Sequence, residues 1–222
     1  MLDEISKIKI GIVNTGACNI KSITFAMKRF SKNIEIIEKK QSIIGFDVLV
    51  VPGIGNFGQV MKNLARLDII ENIKEYIDQK KYALFICVGL QILFEKSDED
   101  VSSRGLCIFK GKVKKFPKLH NGNDLKIPAI GWNKIFYKNE NKLNNFEDLI
   151  DNNFYFTHSY YVEPEDKNII HSEVDYGGFR YCSSVRFKNL LATQFHPEKS
   201  GITGLNLLRN FLIDSLNYEK NH

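Results

Sequence analysis

Tyr82-Ala-Leu-Phe-Ile-Cys-Val-Gly-Leu-Gln91 is the stretch that decides the fold. Residues 82–86 form a short unbroken apolar run, the pattern of a strand buried on both faces in a parallel sheet. From Gly89 to Phe94 the pattern opens a helix, and Cys87 stands where one gives way to the other. A side chain at such a strand-to-helix turn is displayed at the carboxyl edge of the sheet. There the helix amino terminus favours a thiolate, and the N–H of Val88 can meet a developing oxyanion. A buried cysteine acting as a small hydrophobe is the competing reading.

Upstream, Lys7–Asn14 is β-rich and runs into Thr15-Gly16, and Ile20–Phe30 has helical period. Ile34–Glu38 is a short strand, and Phe46–Val51 is a second buried strand, broken by Pro52-Gly-Ile-Gly55. Helical periodicity covers Phe57–Leu67 and Ile69–Tyr76. Strands alternating with helices predict an α/β fold of three layers, a mostly parallel sheet with helices on both faces. Downstream the helix signals thin out. Phe109–Phe116, Phe154–Tyr161, His171–Val174, Phe179–Phe187 and Leu190–Phe195 read as added antiparallel or mixed strands. A last helix over Thr203–Leu216 sets Leu205, Leu208, Phe211 and Leu212 on one face. The Asn-rich stretch 138–153 reads as a surface excursion, and one domain over residues 1–222 is expected.

Composition narrows the classes. At 43% hydrophobic and 26% charged, the chain carries enough apolar side chains for a packed core. It has no apolar run long enough to span a membrane and no apolar leader, so no membrane and a cytoplasmic location are expected. The four cysteines form no CxxC pair, so neither metal, redox pair nor cofactor is expected. Cys18, Cys107 and Cys182 read as inert thiols. A net charge of +5 is modest. Its densest segment, Lys110–Lys118, reads as a solvated strand edge. With no stacking platform beside it, nucleic acid is not an expected partner.

Gln194-Phe-His-Pro-Glu198 gives Cys87 a context. A cysteine nucleophile needs a base to move its proton to a leaving amine, and the base needs a carboxylate to orient it. Cys87, His196 and Glu198 supply one of each, and Pro197 fixes the turn that presents His196 and Glu198 together. As an isolated triplet, His-Pro-Glu is an ordinary turn; joined to a strand-Cys-x-Gly elbow it is much more. The glycines of Pro52-Gly-Ile-Gly55 permit close backbone approach at the end of a second strand, which makes that turn a candidate oxyanion donor.

Together Phe85-Ile-Cys-Val-Gly-Leu-Gln91, Pro52-Gly-Ile-Gly55 and Gln194-Phe-His-Pro-Glu198 resemble the class I (triad) glutamine amidotransferases over nearly the whole chain. Asn14-Thr-Gly-Ala-Cys-Asn19, Pro52-Gly-Ile-Gly-Asn-Phe-Gly58, Ile130-Gly-Trp-Asn133, Phe156-Thr-His-Ser-Tyr-Tyr161 and His196-Pro-Glu-Lys-Ser200 are similar to the glutaminase subunits of imidazole glycerol phosphate synthases. The resemblance implies that Cys87 attacks the glutamine carboxamide to form a thioester. His196 serves the departing ammonia and then water, and Glu198 orients it. Gly53 or Ile54 and Val88 are the implied oxyanion donors. Gly55, Gln91, Glu99, Ser159 and Tyr160 match substrate-binding positions. Asn19, Trp132, Tyr155 and Lys199 match positions at or near a partner interface. The implied partner is a cyclase/synthase subunit with a (β/α)-barrel, bound as a heterodimer. It receives the ammonia and makes imidazole glycerol phosphate and aminoimidazole carboxamide ribotide in histidine biosynthesis, while the isolated glutaminase turns over slowly.

Two departures keep other readings open. Phe85 stands where the family has glycine, and Asn14-Thr15 and Cys18 depart from its common Asp-Tyr and Gly. The same glutaminase could serve a synthase that aminates or amidinates a cell-surface sugar, or the chain could be a non-catalytic scaffold. Trp132 reads as a core residue or a partly exposed anchor. His158 reads as structural or channel-lining, and His120, His171 and His222 as surface residues.

Overall fold

The computed structural model describes residues 2–16, 19–138 and 152–221. Cys18, His222 and nearly all of the Asn-rich excursion lie outside the described residues. A short helix α1 (Leu2–Ile5) precedes strand β1 (Ile10–Val13), helix α2 (Ile20–Met27), β2 (Ile34–Ile37) and β3 (Val48–Gly53). Helices α3 (Phe57–Arg66) and α4 (Ile70–Asp78) lead to β4 (Tyr82–Cys87) and α5 (Val88–Ile92). The second half is mainly strand: β5 (Lys96–Ser97), β6 (Gly111–Lys115), β7 (Leu119–His120), β8 (Asn123–Asp124), β9 (Ala129–Tyr137) and β10 (Asn153–His158) come first. Then follow β11 (Tyr160–Pro164), β12 (Ile170–Tyr176), β13 (Phe179–Phe187), β14 (Leu190–Thr193) and helix α6 (Gly201–Asn221).

Nine strands run side by side in the order β10-β9-β12-β13-β14-β4-β3-β1-β2. From β14 to β2 every pairing is parallel, and from β14 out to β10 every pairing is antiparallel. The mixed sheet follows from the connections: helices return the chain between the parallel strands, whereas short turns join most of the later ones. All side chains of β3 and β4 are buried, so the centre of the sheet is covered on both faces. β10 instead alternates between half-buried and buried positions, as expected of a sheet with one wetter face.

Several sequence expectations shift. The run 154–161 breaks at Ser159 into β10 and β11, which pair with different neighbours. β9 has no counterpart among the sequence-read strands, because Gly131 and Asn133-Lys134 interrupt its apolar run, whose Ile130, Trp132 and Phe136 stay exposed. The lysines of β6 do not mark a free edge: that strand pairs with β11 on one side and with the short β5 on the other. Lys114 instead pairs with Glu163 across β11 at 2.8 Å. His171 is buried, not on the surface, and its ring meets Tyr137 edge-on.

Candidate active site

β4 delivers Cys87 to the carboxyl edge of the sheet, and α5 starts at the next residue. The turn is tight enough that Cys87 takes φ +57° and ψ −107°. A side chain in that region costs roughly 1–3 kcal/mol and persists only where the surroundings hold it. Gly89 is what lets the surroundings close in, since a Cβ there would lie 2.2 Å from the Val51 carbonyl oxygen. Gly53 sits opposite Cys87 in register, and a Cβ on it would be 3.0 Å from both the Gly89 nitrogen and the Val88 Cβ. The backbones of Gly53, Val88 and Gly89 therefore touch beside the sulfur. Ile54 follows as the chain leaves the strand, and Gly55, at φ +92°, turns it toward α3. Phe85 is fully buried within β4, and the elbow forms with its ring absorbed into the core.

His196 comes from the strand beside it. Thr193 of β14 lies opposite Ile86, so the chain leaving β14 passes Cys87 with Gln194 first and His196 two residues later. A single 3₁₀ turn, Pro197–Lys199, then folds Glu198 back, and His196 Nδ1 lies 2.8 Å from Glu198 Oε1. Both side chains are almost completely buried. The His196 backbone N–H donates to the Tyr155 carbonyl at 2.9 Å, and Ser200 Oγ donates to the His196 carbonyl at 2.6 Å. These bonds clamp the turn to β10. Burial alone would push His196 toward its neutral form. The charge of the Cys87 sulfur and the hydrogen-bonded Glu198 carboxylate outweigh it and hold the ring's pKa above the ordinary histidine value. Nε2 is buried and has no conventional hydrogen-bond partner, which leaves it available at the sulfur side of the ring.

Apart from Gly55, the expected substrate-binding residues come from α5, from the break between β10 and β11, and from the loop after β5. Gln91 is buried on α5, and its Nε2 donates to the Tyr160 carbonyl at 3.1 Å. Ser159 and Tyr160 are half-buried at the break between β10 and β11. Glu99 Oε2 accepts the Phe57 N–H at the start of α3, at 2.7 Å. Burial raises the Glu99 pKa and that hydrogen bond opposes the rise. Burial, with the nearby Glu99 and Asp98 charges, raises the Tyr160 phenol.

The four expected interface residues lie on the His196 side. Trp132 is 56% exposed, opposite Tyr155 in register and edge-on to its ring at 6.1 Å. The Trp132 ring reaches within 4.0 Å of where a Cβ on Gly201 would sit. Lys199 is half-buried in the 3₁₀ turn, and exposed Asn19 caps α2 by accepting the Ser22 N–H. Phe25 and Ile202 add exposed apolar surface, and a cleft lined by Lys21, Phe25, Arg29, Glu198, Gly201 and Leu205 separates α2 from the 3₁₀ turn.

One feature escaped the motif reading. Gln194 is fully buried with Nε2 3.6 Å from Cys87 Sγ, a contact across 107 positions that only its place in the His-Pro-Glu motif could have signalled. His158, as expected, is internal: Nδ1 bonds the Tyr160 carbonyl at 2.8 Å and Nε2 the Tyr181 hydroxyl at 3.0 Å. Cys182 is buried, with its thiol pushed well up by that burial, whereas Cys107 is exposed. Among the described residues, no group of three or more His, Cys, Asp or Glu could hold a metal ion, and no helix is long and apolar enough to cross a membrane.

Comparison with known proteins covers nearly the whole length of the chain. The family model for glutamine amidotransferase class-I matches residues 8–215. The HisH subunit of imidazole glycerol phosphate synthase from Prochlorococcus marinus subsp. pastoris is 40% identical over 204 residues, covering 92% of this chain and 97% of that one. The HisH subunit from Pyrococcus furiosus is 43% identical over 204 residues, covering 91% and 97%. In three dimensions, a solved PurLQS structure from Thermotoga maritima superposes with a TM-score of 0.70 at 16% identity, over 96% of this chain and 99% of that chain, a likeness of fold. With the elbow cysteine, the buried His–Glu pair and a family match spanning nearly its whole length, the chain belongs to the class I glutamine amidotransferases.

Proposed function

We propose that the chain is the glutaminase subunit of an imidazole glycerol phosphate synthase, with Cys87, His196 and Glu198 as its catalytic triad. The observation that carries the catalytic reading is the convergence of the strained Cys87 elbow with a buried His196 whose Nδ1 is held by Glu198 at 2.8 Å. The likeness to HisH subunits at about 40% identity supports the acceptor reaction.

In this reading the Cys87 sulfur attacks the amide carbon of glutamine. The developing oxyanion takes N–H donors from Val88 and from the Gly53–Ile54 backbone. Raising the His196 pKa favours imidazolium beside thiolate, so the ring starts as the acid that the departing nitrogen needs. Ammonia leaves, the glutamyl thioester remains, and neutral His196 takes a proton from water as it attacks. The C–S bond breaks and glutamate departs. Both hydrogens of Gln91 Nε2 face protein oxygens, so Oε1 is the atom it offers to the amino-acid end of the substrate. Gly55, Glu99, Ser159 and Tyr160 complete that subsite. The partner is a cyclase/synthase subunit with a (β/α)-barrel, joined as a heterodimer in the cytoplasm. It docks on the surface that includes Asn19, Trp132, Tyr155 and Lys199, next to His196. One amidotransferase domain then supplies ammonia, and the barrel supplies the phosphorylated acceptor.

The test is ammonia transfer in a reconstituted pair. With amide-labelled glutamine, a barrel cyclase and the open-chain formimino nucleotide, label should enter imidazole glycerol phosphate even with unlabelled ammonium in excess. Label transfer only with a sugar-modifying synthase would overturn the acceptor assignment. No glutamine hydrolysis with any synthase would overturn the glutaminase assignment.

A further inference from the structure

Gln194 places an amide against the nucleophile, and the atoms behind it decide which end faces the sulfur. The Tyr160 carbonyl can only accept, and it takes a hydrogen from Gln91 Nε2 at 3.1 Å. The second hydrogen on that nitrogen points to Gln194 Oε1 at 3.2 Å. With its oxygen committed to Gln91, Gln194 must turn its NH₂ to Cys87 Sγ, 3.6 Å away. His158 braces the same carbonyl. Its Nδ1 meets the Tyr160 carbonyl, so it carries the hydrogen, and its Nε2 accepts from the Tyr181 hydroxyl. Burial keeps that ring neutral, with a pKa pushed down to about 4, so the tautomer holds near neutral pH. The amide orientation is thus transmitted from a fixed backbone oxygen to the reactive sulfur.

Cys87 is 3% exposed, so little water reaches an anionic sulfur there. An N–H donor of fixed direction is the group that replaces it. We propose that Gln194 is a catalytic residue of this site. It donates a hydrogen bond to the Cys87 thiolate and is held in that orientation by Gln91 and the Tyr160 carbonyl. The donor acts at two steps. It stabilises the thiolate before attack, and it stabilises the same sulfur again when the thioester C–S bond breaks and the electron pair returns to it. The other titratable groups facing the sulfur are the His196 imidazole, backed by Glu198, and the Tyr181 phenol.

The inference rests on Cys87 being the nucleophile, and its test reads the thiol directly. Iodoacetamide labelling of the Cys87 peptide is followed by mass spectrometry against pH, with exposed Cys107 as the internal reference. Gln194→Met keeps length and removes the donor. Its Cys87 labelling midpoint should rise by about 1 pH unit, with kcat in the synthase complex down about tenfold and KM little changed. Gln194→Glu keeps an acceptor for Gln91 and should raise the midpoint further. In the wild-type chain the Gln194 side-chain amide proton resonance should titrate together with Cys87, a readout that needs no variant to fold. A midpoint unchanged in both variants, or an amide resonance indifferent to the state of Cys87, would overturn the role of Gln194. Retained glutamine hydrolysis in Cys87→Ala would instead overturn the nucleophile assignment, so the two failures are told apart.

Discussion

Gly89→Ala tests whether backbone contact builds the elbow. The added Cβ would lie 2.2 Å from the Val51 carbonyl oxygen, about 1 Å short of ordinary van der Waals contact. That oxygen belongs to β3, an interior strand paired on both sides, so it cannot move away cheaply. The helix start must move instead, carrying the Val88 N–H and the Cys87 sulfur with it. Misplacement by about 1 Å near a reacting centre costs on the order of 10²-fold in rate, and overpacking of this kind costs about 1–3 kcal/mol in stability. The assay is kcat/KM for glutamine in the reconstituted complex, set beside a urea unfolding curve. Gly45→Ala serves as the control, because nothing lies within 4 Å of its added Cβ. A fall of about 10²-fold in a chain that still unfolds cooperatively is expected. Turnover within about twofold of wild type would refute the reasoning, since the oxyanion donors would then not depend on the contact of Gly89 with Val51.

Four further expectations follow from the same geometry. Cys87→Ala should abolish hydrolysis, and His196→Ala should lose at least about 10²-fold, a general-base loss. Glu198→Gln should lose less than either, because it keeps a hydrogen-bonding partner for Nδ1; a larger loss in Glu198→Gln than in His196→Ala would reject the order of roles. Phe85→Gly should cost about 3–5 kcal/mol, since the ring is fully buried in a central strand; an unchanged urea midpoint would contradict that. Trp132→Ala should weaken synthase binding while shifting Tm by no more than a few degrees, because over half of the residue is exposed; a large Tm drop with unchanged complex formation would make it a core residue. His158 and His171 are held neutral by burial, with pKa values near 4 and 3, below the unfolded value. Their contribution is present above about pH 6.5 and is lost as pH falls, at up to about 1.4 kcal/mol per pH unit each. In His171→Phe the urea midpoint should therefore drop less between about pH 7 and about pH 5, and an equal drop would count against the burial argument.

How far the sequence could be read depended on how local the signal was. The buried runs of β3 and β4 and the elbow after β4 were legible because a strand covered on both faces is apolar throughout and ends where a glycine must follow. β9 was not legible, because Gly131 and Asn133-Lys134 interrupt its apolar run and its pairing with β10 and β12 is set by residues distant in sequence. His171 reads as any surface histidine until the sheet buries it beside Tyr137. Phe85 read as a threat to the elbow, and only the packing around β4 showed that the core takes the ring.

By itself the sequence determined the chemistry on offer: one cysteine at a strand-to-helix turn, one His-Pro-Glu turn and the glycines where backbones must meet. Those are local choices, made by residue type and by the two periods of strand and helix. Tertiary structure alone decided that the cysteine and the histidine meet, because β14 pairs in parallel with β4 across more than a hundred residues of chain. It also decided which atom of Gln194 faces the sulfur. An amide has two ends of opposite polarity, and only the fixed acceptor at Tyr160, reached through Gln91, chooses between them.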